Sequence, residues 1–462
     1  MDPRTRTLLE APIGPTLLRL ALPNVIVMAA QSAIGLIETY FIARLGTDSL
    51  AGMALVFPIL MLFQMISAGA MGGGILSAIA RALGANRRED ANILVWHAVA
   101  IALALGLATT LAALACGPML YAVMGGSGAS LAAALVYSNI VFLGAIPLWL
   151  YNSLAAVIRG TGNMLVPAAV TALGAALLIP LSPALIFGWG PFPRLGIAGG
   201  AFAVILFYIV GSAIFAAFLW RGRGVLRPSF RPARLRWEAA REILRVGAVS
   251  SITSLSTNVS IGTATGLVGA YGPASVAGYG TGARLEYLLI PLVFGLGTPL
   301  AAMVGTAIGA GHHVRALRVA WTGAAIAFAV TEAIGLAAAA FPHAWLSLFG
   351  SDPTMNAVGA EYLRIVGPCY GLFGGGLALY FASQGAGRLG WPTFAAVLRV
   401  AIAASGGLLA SAVWGGLAGV FVALGLALAA FGAVNAAAIA LGAWSARRSP
   451  HAEPLAVRHP VR

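Results

Sequence analysis

Long apolar runs dominate this chain, and polar or charged residues fall mainly between them. A membrane-crossing helix needs roughly 20 mainly apolar residues. By that measure twelve spans are predicted, near 20–43, 51–80, 92–116, 130–157, 165–188, 196–220, 246–270, 276–307, 317–341, 361–383, 392–413 and 417–444. Several exceed the minimum, which predicts tilt or projection beyond the lipid. Pro58, Pro147, Pro180, Pro183, Pro291, Pro299 and Pro368 fall in or near the runs. Each removes a backbone hydrogen bond and predicts a bend.

The punctuation between runs occurs twice. Leu17-Leu18-Arg19 returns as Ile243-Leu244-Arg245. Leu45-Gly46 with Leu50-Ala51-Gly52 returns as Tyr271-Gly272 with Val276-Ala277-Gly278, at an offset of 226. Leu83-Gly84-Ala85 returns as Ile308-Gly309-Ala310, and Gly160-Thr161-Gly162 as Gly385-Ala386-Gly387, both at 225. A near-constant offset of this kind marks an internal duplication. Six spans per half is an even number, so both halves start on the same side and are related by an axis along the membrane normal. The expectation is an all-α integral membrane protein with 12 transmembrane helices, in two parallel-related six-helix bundles around a central cavity. Residues 1–220 form the first lobe, 221–242 an Arg-rich cytoplasmic linker, 243–445 the second lobe and 446–462 a cytoplasmic tail.

Composition supports the class. The chain is 60% hydrophobic and 9% charged, with a mean hydropathy of +0.93, whereas soluble domains carry about 25% charged residues. A water-soluble fold could not hide so much apolar surface. The net charge is +14, and all 27 basic residues are Arg. Most sit in short loops, where they set topology, so nucleic acid is not an expected partner. Arg4, Arg6, Arg87, Arg88, Arg315, Arg318, Arg388 and the seven Arg of residues 221–241 fall on one side, against Arg44 and Arg194 on the other. Both termini are therefore expected in the cytoplasm. Cys116 and Cys369 give no disulfide framework. His97, His312, His313 and His343 are scattered without metal-ligand spacing. No catalytic constellation is visible, so neither an enzyme, a cofactor nor a metal site is expected.

The first span reads Pro23-Asn-Val-Ile-Val-Met-Ala-Ala-Gln31-Ser-Ala-Ile-Gly35-Leu-Ile-Glu38-Thr-Tyr-Phe-Ile-Ala-Arg44-Leu-Gly46-Thr-Asp48-Ser-Leu-Ala51-Gly. This resembles the opening of multidrug and toxic compound extrusion (MATE) transporters. The likeness continues through Phe57-Pro58, Gly84-Ala85-Asn86, Arg159-Gly-Thr-Gly162, Pro183-Ala-Leu-Ile-Phe-Gly188, Leu195-Gly-Ile-Ala-Gly199, Ile308-Gly-Ala-Gly311 and Leu348-Phe-Gly-Ser-Asp352. The resemblance implies a 12-helix antiporter in a bacterial cytoplasmic membrane. It would export amphipathic, often cationic, organic compounds against an inward flow of protons or sodium. The DNA-damage-inducible branch is the nearest, although its span-five acid and amide are replaced here by Ser182 and Leu178. A monomer in contact with membrane lipid is expected.

Charged groups inside spans are costly and mark functional sites. Glu38, Glu286 and Glu332 are the candidate ion-coupling residues. By the resemblance, Glu38 stands at the position of the coupling acid of span one. A carboxyl group there can change protonation as its surroundings change. Snorkelling to the interface, or pairing with Arg44, is the alternative. For Glu286 and Glu332 the alternative is a buried pair with Arg399 or Arg364. Gln31 lies two turns before Glu38 on one helix face. Gln31, Tyr40, Asn152, Ser182, Ser254 and Thr257 are the candidate substrate-binding residues. Hydroxyl residues such as Ser254 and Thr257 equally allow close helix packing in lipid, and Asn152 equally suits an interhelical hydrogen bond. The rival function is a flippase for lipid-linked saccharides of the same superfamily, which would want several basic residues for a pyrophosphate.

Overall fold

The computed structural model describes residues 2–444 apart from 232, 351 and 415; the side chains of 29–38, 287 and 414 also lie outside the described set. The tail read over 446–462 is outside it too. All regular structure among the described residues is helical.

A short helix, α1 (Pro3–Glu10), precedes α2 (Ile13–Ala43). The first half continues as α3 (Thr47–Gln64), α4 (Gly72–Gly84), α5 (Arg88–Val123), α6 (Gly128–Leu143), α7 (Ala145–Gly160), α8 (Leu165–Phe187) and α9 (Ile197–Trp220). The second half comprises α10 (Trp237–Gly269), α11 (Pro273–Gly309), α12 (His313–Ala340), α13 (Pro342–Leu346), α14 (Pro353–Val366), α15 (Tyr370–Ala386), α16 (Gly390–Ala401), α17 (Gly407–Trp414) and α18 (Leu417–Ala440).

Nine spans are long and apolar enough to cross a membrane among the described residues, and the bent pair α6–α7 makes a tenth. The two other expected runs correspond to α2 and α10. In α10, Ser250, Ser251, Thr253, Ser254, Ser256, Thr257 and Asn258 dilute the apolar character.

The repeated glycines mark the same turns in both halves. Gly46 and Gly272 have φ of 119° and 98°, and Gly162 and Gly387 have 80° and 71°. Side chains are disfavoured in this region, so each glycine stops one helix and releases the chain into the next. Asn86 has φ of 58° where its counterpart Gly311 has 78°, and Asn is among the few residues that tolerate this.

Four spans are interrupted. A π-helical stretch, Met65–Met71, joins α3 to α4, and a second, Ile402–Gly406, joins α16 to α17. α6 and α7 meet at a 48° bend, with Pro147 in the first turn of α7, where its missing N–H costs nothing. Pro368 lies in the 3-10 turn Gly367–Cys369 that breaks the tenth span. Pro58, Pro180, Pro183, Pro291 and Pro299 lie within continuous helices.

The chain forms two compact units. One contains Ile26–Gly247; the other contains Leu8–Val25 and residues 248–444. Helices α2 and α10, which are repeat counterparts, are thus both divided between units. Within the first unit, α4 and α5 pack on α7, α3 on α6 and α8 on α9. Ile42, Met53, Val56, Tyr121, Tyr137, Val141, Phe142 and Ile186 form a buried core cluster there. The linker is strapped to α5 of the same unit. Asn92 Oδ1 accepts from Arg227 N at 2.9 Å, Trp96 Nε1 donates to Ser229 O at 3.1 Å and His97 Nε2 accepts from Arg236 N at 2.8 Å. Within the second unit, α15 packs against α11, α12 and α18.

Candidate functional site

Each unit buries its own polar cluster. In the first, Asn152 on α7 donates from Nδ2 to Ser67 Oγ at 2.7 Å and to Gln64 Oε1 at 3.3 Å. Tyr208 OH on α9 donates to the same Gln64 oxygen at 3.4 Å. Ser67 sits within the π-helical stretch and Gln64 immediately before it. Such stretches are frequent at functional sites. Rings wall the cluster: Tyr151 lies 5.4 Å from Tyr208 and 5.2 Å from Phe207, centroid to centroid. Tyr151 OH is itself hydrogen-bonded to Thr171 Oγ1 at 2.7 Å. Gln64, Ser67, Asn152 and Tyr208 are neutral polar groups among aromatic rings, which suits an organic ligand with few polar groups.

The other candidates of this half are placed differently. Ser182 on α8 is buried, and its Oγ has no hydrogen-bond partner. Tyr40 is 54% exposed, with the Arg44 guanidinium 4.6 Å over its ring and donating to its hydroxyl. The side chains of Gln31 and Glu38 lie outside the described residues.

In the second unit, Glu286 on α11 is buried. Its Oε1 receives a hydrogen bond from Arg399 Nη2 at 3.1 Å, and its Oε2 one from Tyr362 OH at 3.1 Å. Arg399 also lies 4.8 Å above the Phe373 ring, and the π-helical stretch Ile402–Gly406 begins three residues after it. A small cavity of about 30 Å³ lies beside the ion pair, lined by Ser260, Ala264, Tyr279, Glu286, Tyr362 and Arg399 among others. One water needs ~10–15 Å³, so the cavity has room for a water or two. Ser260 Oγ, buried and without a partner, opens onto it. Ala264 stands 226 residues after Glu38 and so is its repeat counterpart. In this half the acid comes from α11 instead, and it arrives with a counterion.

Glu332 has another partner. Gly371 N, in the first turn of α15, donates to its Oε2 at 2.7 Å. A helix beginning after the Pro368 break has free N–H groups and a positive dipole end, and this carboxylate satisfies both. Ser254 and Thr257 on α10 return their hydroxyl protons to Ser250 O and Thr253 O, the back-bonding usual for Ser and Thr within a helix. Ser250 Oγ instead accepts from Gln384 Nε2 at 2.9 Å.

Gln64, Ser67, Tyr208, Tyr362 and Gln384 belong to these clusters without being sequence candidates. Gln64 and Gln384 carried a usable signal, since an amide inside an otherwise apolar run is rare and marks an interior face. The tyrosines carried none, because their ring is as apolar as their hydroxyl is polar.

The family model for MatE matches residues 23–184 and 249–409, one match in each half. A relative from Shewanella oneidensis named FAD transporter is 28% identical over 380 residues, which cover 81% of this chain and 82% of its own. A probable multidrug resistance protein NorM from Deinococcus radiodurans is 31% identical over 361 residues, 72% of either chain. Among solved structures, a MOP superfamily transporter from Pyrococcus furiosus, described as having a binding pocket of reversed polarity that suggests a different function, has a TM-score of 0.86 at 24% identity, covering 94% of this chain and 96% of that one. An outward-facing multidrug resistance MATE family transporter matches with a TM-score of 0.85 at 24% identity, over 94% and 96%. At that identity the structural likeness speaks for the fold.

Proposed function

The chain belongs to the MATE family of multi-pass membrane transporters, and from that premise we propose that it exports amphipathic organic cations in exchange for protons. The two lobes, residues 1–220 and 243–445 joined by 221–242, would alternate access to the two sides of a bacterial cytoplasmic membrane, with both termini in the cytoplasm. Gln64, Asn152 and Tyr208 offer the cargo neutral polar contacts among the rings of Tyr151 and Phe207. A desolvated cation gains from aromatic faces.

The observation that carries the ion assignment is the pairing of the interior acids. Glu286 is already balanced by Arg399, and Glu332 already serves the start of α15. Neutralising Glu286 would leave Arg399 buried without its counterion, and neutralising Glu332 would weaken its hold on the start of α15, so Glu38 of the first span is the proposed coupling acid. A hard cation such as sodium wants several oxygen ligands. Ser182 and Gln31 add few, which favours the proton.

The test is export of a fluorescent cation from proteoliposomes under an imposed pH gradient or an imposed sodium gradient, for wild type and Glu38→Gln. Export driven by pH alone, and lost in the variant, is expected. Sodium-driven export that survives in the variant overturns the proposal. A second reading, an anionic cargo, is favoured by the relative named FAD transporter and by the buried, unpartnered Nε of Arg159. Including FAD in the same vesicles separates the two.

A further inference from the structure

The second unit has a groove that the transport reading does not use. It is about 400 Å³ in volume and is lined by α2, α11 and α12, with Leu22, Leu296, Ile326 and Val330 among its walls. Arg19 is the charged residue among its described lining. Its back is well packed, Val293 and Ala327 being 2% and 3% exposed, while Leu22 and Val330 stand open at the rim, 61% and 42% exposed. The groove lies beside a close crossing of α2 and α11. A Cβ built on Gly295 would come within 3.0 Å of Val25 N, so the helices touch there and leave room along the Leu18–Leu22 face.

Its two ends differ. Arg315 of α12 donates to Leu8 O at 3.0 Å and to Ala11 O at 2.7 Å, so α2 and α12 start at the same end of the unit. Arg19, in the first two turns of α2, lies toward that end. The groove is therefore apolar with one guanidinium group, that of Arg19, near one end, and no acid is found among its described lining. This is the chemistry of a phospholipid: a hydrocarbon chain that gains by burial and a phosphate that takes charge-assisted hydrogen bonds from Arg.

We propose that this groove binds one anionic phospholipid, with an acyl chain against Leu22, Leu296 and Ile326 and the phosphate held by Arg19. A cationic cargo is disfavoured by the same arginine. A zwitterionic lipid brings its own ammonium group to the mouth and gains less.

The test uses the full-length protein. It is equilibrated in detergent with phosphatidylglycerol or with phosphatidylcholine of the same chains and washed, and the retained lipid is counted by mass spectrometry. Wild type is expected to retain phosphatidylglycerol in preference to phosphatidylcholine. Arg19→Gln should lower phosphatidylglycerol retention about fivefold, since one Arg near anionic lipid is worth ~1 kcal/mol. Leu22→Trp and Val330→Trp fill the groove from its rim on two different helices, and each should lower retention, so a folding fault in one helix does not decide the outcome. Equal retention of the two lipids by wild type, or phosphatidylglycerol retention unmoved by all three variants, overturns the proposal.

Discussion

At the scale of single residues, the interior of the second half is governed by one ion pair. Glu286 and Arg399 are each 10% exposed at the side chain and 3.1 Å apart. Removing one partner of such a pair leaves an uncompensated buried charge and costs about 3–5 kcal/mol, whereas replacing both with apolar or neutral groups of similar size is often neutral. Arg399→Met alone should therefore lower the melting temperature of the detergent-solubilised protein sharply. The double variant Glu286→Gln with Arg399→Met should recover most of that loss. If the double variant melts as low as the single one, the pair is not what holds these helices. Glu332 makes a different prediction, because its partner is a backbone N–H. A Cβ at Gly371 would come within 2.4 Å of Glu332 Oε2. Gly371→Ala should expel the carboxylate and lower the melting temperature, and Glu332→Gln, which keeps an acceptor oxygen, should do so less. The acids themselves were legible in the sequence as costly groups inside apolar runs. Their partners were only half legible: Arg399 stood out as a possible counterion, while Pro368 signals a break in its helix but nothing in residue type says that Glu332 meets the N–H groups after it.

At the scale of elements, small residues decide where helices meet. α15 and α18 approach at Gly376 and Gly432, where a Cβ on Gly432 would lie 2.1 Å from Leu372 O and one on Gly376 would lie 2.5 Å from Gly432 Cα. In lipid, close packing of this kind is a main source of helix association. Gly432→Ala should push the two helices apart at a cost of about 1–3 kcal/mol. Gly266→Ala on α10, with nothing within 4 Å of the added atom, should be neutral or mildly stabilising, since Ala exceeds Gly in helix propensity by ~1 kcal/mol. Melting curves of the two variants give the comparison, and equal losses would mean that the close approach carries no stability. Apolar run length gave the helices themselves, and repeated glycines gave the turns at Gly46, Gly162, Gly272 and Gly387. The interruptions were not all readable. Pro147 and Pro368 announce two of them, but the π-helical stretches Met65–Met71 and Ile402–Gly406 contain no proline, and their residues would serve equally well in an ordinary helix. Their cause lies in the packing around them, which local sequence does not record.

At the scale of the whole molecule, the scaffold is duplicated and the chemistry is not. Tyr137 and Tyr362 are repeat counterparts and both are buried, yet Tyr362 donates to Glu286 while the corresponding core around Tyr137 is built from Ile42, Val56, Phe142 and Ile186. Ala264 replaces the acid of the first half, and Gln384 replaces Arg159. A duplicated transporter whose halves have diverged in this way need not couple its ion in both. The proposed assignment of coupling to Glu38 then predicts a clear asymmetry in transport. Glu38→Gln should abolish cation export driven by a pH gradient in proteoliposomes. The double variant Glu286→Gln with Arg399→Met keeps the second half neutral and folded, and it should retain export within about threefold, less than the ~1 kcal/mol that a lost transport step would exceed. Export is normalised to the amount of protein incorporated in each vesicle preparation, and protein-free vesicles give the leak. Export that persists in Glu38→Gln but disappears in the double variant would move the coupling site to the small cavity beside Glu286, where Ser260 and Tyr362 would then be the groups that accompany the proton.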